Sequence, residues 1–123
     1  EHPEALCGAS LVLHGVDGAP VPLLAFCAER RPGDAKLRSD LGVARALGGD
    51  EGGGRAEFEA ALRADPALPQ AHLSLGFLAL RAGRAPAARD HFLAAREAGR
   101  SRRQWEFFAA AQASLRELDA PEE

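Results

Sequence analysis

Four histidines, two cysteines, a serine within an apolar stretch and an acidic glycine-rich run carry the chemical potential of this sequence. His2, His14, His72 and His91 are scattered, and no two stand in the HExxH register that sets paired imidazoles on one helix face for zinc. Cys7, His14 and Cys27 offer three ligands, but a closed structural zinc site takes four, and only His2 lies near to complete it. His72 falls at a helix-packing position and reads as a structural histidine. Ser74 has no GxSxG frame around it and no base in register. The run from Gly48 to Gly54 has the glycines of a phosphate cradle, yet no Lys-Ser/Thr follows, and Asp50 and Glu51 would repel an anion. It reads instead as a flexible loop whose glycines loosen the start of the next helix. Cys7 and Cys27 have neither CxxC spacing nor the numbers of a disulfide framework, and read as buried free thiols on facing helices. No nucleophile, acid–base pair or ligand set emerges, so the expectation is no enzyme, no metal and no cofactor.

The elements that would position these residues are helices. The chain has 123 residues, 46% of them hydrophobic, but it has no Ile, no Tyr and one Trp. Strands favour β-branched and aromatic side chains, whereas the Ala, Leu, Arg and Glu abundant here are strong helix formers. Turn signals occur at Gly15–Pro20, Arg31–Asp34, Gly48–Gly54, Asp65-Pro66, Ala82–Arg84 and Gly99–Ser101. Apolar positions between them repeat at helical spacing, as in Leu75, Leu78 and Ala79, or Phe58, Ala61 and Leu62. About seven helices follow, over 3–13, 20–30, 35–47, 55–64, 69–82, 85–98 and 101–118. Pro69 and Pro86 fall in first turns, where a missing N–H costs nothing. Gly99 suits a helix stop, and Ser101 with Gln104 suits a capping box for the last helix.

The sequence also repeats itself at an offset of 34 residues. Leu41-Gly42 falls on Leu75-Gly76, Gly49 on Gly83, Phe58 on Phe92 and Ala61 on Ala95. Upstream, Gly8 precedes Gly42, Gly15 precedes Gly49 and Pro32 precedes Pro66 by the same interval. A fixed period of this length marks a helical repeat array. The short connections make successive helices antiparallel.

On these residues the chain resembles the tetratricopeptide repeat family, whose pattern runs Trp-x2-Leu-Gly-x2-Tyr, Ala-x3-Phe and Pro. One copy shows His72 in the Trp place, Leu75-Gly76, Ala79 in the Tyr place, Ala88 and Phe92. The other shows Leu41-Gly42, Gly54 for the small residue, Phe58 and Pro66, while the Trp and Tyr places lack aromatics throughout. The resemblance implies one all-α domain, a right-handed superhelical array of antiparallel hairpins. Residues 1–34 would be a degenerate repeat keeping Gly8, Cys27 and Pro32. Residues 35–68 and 69–102 would be two fuller repeats, and 101–119 a C-terminal capping helix.

In such arrays the first helix of each repeat lines a concave face that holds peptides. Carried onto this sequence, the inward positions are Ala5, Ala9, Val12 and Leu13 in the first repeat. Lys36, Ser39, Asp40, Val43 and Leu47 follow in the second, and Gln70, Leu73, Ser74, Phe77, Leu80 and Arg81 in the third. The carboxylate clamp of chaperone-binding members has no match at Ala5, Ala9, Asp40, Gln70 and Ser74, and Asp40 would repel a carboxylate. Val43, Leu47, Leu73, Phe77 and Leu80, bordered by Lys36 and Arg81, instead suit an apolar or amphipathic peptide segment of a partner protein. The alternative is that the terminal helix or a neighbouring segment covers them.

A net charge of −3 gives no reason to expect nucleic acid. Seven arginines between Arg81 and Arg103 face only Asp90 and Glu97, which reads as a solvated face or as docking for an acidic partner. No apolar run reaches the ~20 residues of a membrane span, so no insertion is expected. With no methionine the sequence does not begin at its own initiator; a cytoplasmic location is the expectation, a removed signal peptide staying open. The function expected is a non-catalytic protein–protein interaction module, bacterial in its Ala/Arg/Gly bias. Alternatives are a chaperone like those of type III secretion translocators, or a regulatory or accessory domain of a larger protein. Oligomeric state is undetermined.

Overall fold

The computed structural model describes residues 21–119, which form six helices. These are α1 (Val21–Arg30), α2 (Ala35–Leu47), α3 (Glu51–Ala64), α4 (Pro69–Arg81), α5 (Ala85–Ser101) and α6 (Trp105–Asp119). No strand occurs among the described residues, so the fold class is all-α as expected. The helix expected over 3–13 lies outside them. The chain divides into two compact units, residues 1–64 and 65–123.

In the first unit α2 packs against both α1 and α3. Leu24, Cys27 and Ala28 of α1 meet Leu37, Leu41 and Ala44 of α2 in a core with almost no solvent contact. On the other side of α2 the approach to α3 is close because two glycines permit it. A β-carbon on Gly42 would stand 2.7 Å from Cε1 of Phe58, and one on Gly54 would stand 2.8 Å from the Gly42 carbonyl. Asp34 caps α2, its Oδ1 accepting from the Leu37 N–H at 3.1 Å. Arg38 and Arg45 both reach Glu57, at 3.1 and 3.3 Å, and tie α2 to α3 from the surface.

In the second unit α5 packs between α4 and α6, and α6 also touches α4. Leu73 and Ala79 of α4, Ala88, Phe92 and Ala95 of α5, and Ala111 and Leu115 of α6 make one core. The glycine–phenylalanine contact recurs here at the 34-residue offset: a β-carbon on Gly76 would stand 2.5 Å from Cε1 of Phe92.

The turn after α2 recurs after α4 and again after α5. Gly49 has φ +100° and Gly83 +77°, with Arg103 in the same left-handed region at +57°. The next residue's N–H reaches back five residues each time: Asp50 to Arg45, Arg84 to Ala79 and Gln104 to Gly99, at 2.8–2.9 Å. These are the paired carbonyl closures of a left-handed helix stop.

Several expectations need correction. Helix α3 begins at Glu51, so Gly52–Gly54 are helical rather than a loop. The Asp50 carboxylate accepts from the Gly53 N–H at 2.8 Å and nucleates that first turn in spite of the glycines. Helix α5 runs through Gly99 to Ser101, so Gly99 is not a helix stop and Ser101 does not cap α6. Gly99 is instead a point of close approach, where a β-carbon would stand 2.8 Å from the Phe108 nitrogen. Cys27 is buried as expected but is disulfide-bonded, not a free thiol. Cys7 lies outside the described residues.

Candidate docking faces

Lys36, Asp40, Val43 and Leu47 recur at intervals of four, three and four residues, which sets them along one side of α2. Lys36 is exposed, Asp40 and Val43 are half-buried, and Leu47 is 65% exposed at the end of the helix. The buried flank of this side is Ser39. Burial pushes the Asp40 carboxyl above its ordinary value; Lys36 one turn away pulls it back, and Asp34 adds to the rise. The acidic position noted in the sequence is therefore poorly solvated as well as negative, and both properties oppose a carboxylate ligand.

The residues 34 positions later make the corresponding stripe on α4. Gln70 and Ser74 are half-buried, and Phe77 and Leu80 are exposed at 48% and 37%. Arg81 is exposed at the helix end. The Phe77 ring is held edge-on against Phe92 with centroids 5.3 Å apart, so it is an anchored apolar surface rather than a loose side chain. Leu73 behaves differently from the others. It is 7% exposed and belongs to the core shared with Ala111 and Leu115 of α6. The terminal helix thus covers this one residue of the expected set and leaves Phe77 and Leu80 open.

The seven expected residues fall in both units: Lys36, Val43 and Leu47 in the first, and Leu73, Phe77, Leu80 and Arg81 in the second. Ala5, Ala9, Val12 and Leu13 lie outside the described residues. Sequence reasoning passed over Trp105, which is largely exposed and stacks edge-on against Phe108 at 5.7 Å. The signal available was that it is the only tryptophan.

Among the described residues, those with chemical potential do not assemble beyond a pair of imidazoles. His72 sets Nε2 2.9 Å from the Pro66 carbonyl, a structural contact at the entrance of α4. Its Nδ1 is buried without a hydrogen-bond partner, and its ring lies 5.9 Å from that of His91. No group of three or more His, Cys, Asp or Glu able to hold a metal occurs among the described residues. A pocket of about 300 Å³ lined by Ala85, Pro86, Arg89, Asp90 and Leu118 is no anion site, because Arg89 is bonded to Asp119 and Asp90 is acidic. Of the arginine-rich stretch, Arg96 binds Gln112, Arg100 binds Glu97 and Arg102 binds Asp65, so several cations are spent on local contacts. No described helix is long and apolar enough to cross a membrane. Compared with known proteins, the chain is matched by no protein-family model and no curated protein.

Proposed function

We propose that this chain is a non-catalytic interaction module of the tetratricopeptide type that binds an apolar or amphipathic peptide segment of another protein. The observation that carries the reading is the exposure of Leu47, Phe77 and Leu80 on the helix sides that the resemblance marks as ligand-facing. A solvated helix face is ordinarily polar, and apolar side chains kept at one side of a helix mark recognition surface. Phe77 is the anchor, since an aromatic side chain already fixed by its neighbour loses little freedom on binding. Leu73 is buried in the core of the second unit and is not a contact for the peptide. Lys36 on the α2 side and, separately, Arg81 on the α4 side select for a peptide whose polar side is not strongly basic.

The test is a titration of peptides selected by display against the wild-type chain. Phe77→Asp should weaken binding at least tenfold, since a charge replaces the aromatic anchor, while the helical spectrum stays near wild type and the melting temperature falls only by what the lost Phe92 contact contributes. Selection yielding no peptide, or equal affinity in a folded Phe77→Asp variant, would sink the reading.

A further inference from the structure

We propose that His72 and His91 together hold one divalent transition-metal ion of the imidazole-preferring kind (zinc, nickel or copper), which ties α4 to α5 in the second unit. His72 lies in the first turn of α4 and His91 in the second turn of α5, and both are half-buried. They stand 19 residues apart in the sequence, so no ligand spacing marks them; the packing of the two helices brings their rings together.

The hydrogen bonding of His72 fixes which of its nitrogens can bind a metal. Its Nε2 lies 2.9 Å from the Pro66 carbonyl, and a carbonyl only accepts, so Nε2 carries the ring proton. Nδ1 then holds the lone pair, and it is buried without a hydrogen-bond partner. An orphaned buried acceptor calls for a reason. Turning the ring over does not remove it, because that would break the Pro66 bond. A backbone carbonyl on one ring nitrogen, with the other left bare, is how proteins orient a metal-binding imidazole. The ring separation agrees. Zinc–nitrogen bonds of about 2.0–2.1 Å put each ring centroid roughly 3.2 Å from the ion. Two imidazoles on one ion therefore have centroids from about 5.2 Å apart, at a tetrahedral angle, to about 6.4 Å, at a linear one. The observed 5.9 Å falls inside that interval. Imidazole suits zinc, nickel and copper, whereas magnesium and calcium take oxygen ligands. Among the described residues no third ligand joins the pair, so water completes the coordination. The ion is a clamp added to a unit that already has an apolar core.

The experiment uses the full chain without an affinity tag, carrying His2→Asn and His14→Asn so that His72 and His91 supply the only imidazoles. Purification without reductant keeps Cys27 in its disulfide and out of the titration. Calorimetry with zinc chloride should show one ion bound per chain, and the ring nitrogen signals of both histidines should shift together to saturation. The melting temperature should rise by about 5 °C or more at a hundredfold excess of zinc over its Kd, and magnesium should leave it unmoved. His72→Gln sets an amide N–H near the place of Nε2 and removes Nδ1, while His91→Ala leaves the Pro66 bond untouched. Each should weaken zinc binding at least about tenfold with the helical spectrum unchanged. No zinc binding by the folded chain, affinity that survives either substitution, or one ion shared between two chains would overturn the proposal.

Discussion

Gly42 and Gly76 are conserved in spacing within the sequence because each lies under a phenylalanine ring, and this is a relation a reader of the sequence could anticipate. Both glycines stand 16 residues before their aromatic partner, and the missing β-carbon is the space the ring occupies. Gly76→Ala forces a contact of 2.5 Å with Phe92, which is fully buried and has nowhere to retreat. We expect a loss of about 1–3 kcal/mol, read as a fall in urea midpoint with unchanged slope. Gly52→Ala is the matched control. That glycine is also helical, but a β-carbon there meets nothing within 4 Å, so the variant should gain about 0.5–1 kcal/mol. Gly99 shows the limit of the same reasoning. Its partner is the backbone of Phe108, nine residues on and past a turn, and a backbone contact leaves no mark in residue types. The sequence therefore reads as a helix stop where the chain continues for two more residues.

At the scale of elements, what was legible followed from local chemistry, and what was missed involved competition between local signals. Prolines at the starts of α4 and α5, and glycines at the stops after α2 and α4, gave those boundaries to within a residue. The stop after α5 was missed because Arg103 takes the left-handed position that glycine takes elsewhere. The start of α3 was placed four residues late because three glycines outweigh, on propensity, the one aspartate that caps them. Contacts between distant segments had no sequence signal. Asp65, at the entrance of α4, accepts two hydrogen bonds from Arg102, in the turn between α5 and α6, at 2.6 and 2.7 Å. Those bonds hold the Asp65 carboxyl below its ordinary value. A lowered folded value means the pair contributes stability above the unfolded value, about 3.9, and loses it as pH falls through the folded one. Arg102→Ala should thus cost less than about 1 kcal/mol near neutral pH, since the pair is solvent-screened. The difference from wild type should vanish below the folded Asp65 value, as thermal melts across pH would show. A difference that persists in acid would assign Arg102 a packing role instead.

For the molecule as a whole, the two units differ in how they are held together, and that difference is testable without knowing the partner. Residues 65–123 contain no cysteine, and the core of Leu73, Phe92, Ala111 and Leu115 is drawn from α4, α5 and α6 alone. Each of these helices is at least 13 residues long, and α6 contributes Ala111 and Leu115 to the core that holds Leu73. Such a set has the local contacts that favour fast, cooperative folding. A fragment of residues 65–123 should accordingly be helical by itself and unfold in one transition worth roughly 3–6 kcal/mol, the range for a domain of its size. Reductant should leave its urea curve unchanged. The full chain should instead lose stability on reduction, with the loss confined to probes in residues 21–64, because Cys27 sits in the core of that unit. Hydrogen exchange resolved by segment separates the two responses. Equal loss of protection in α5 and α1 on reduction would mean that the units unfold as one and that the second does not stand on its own core.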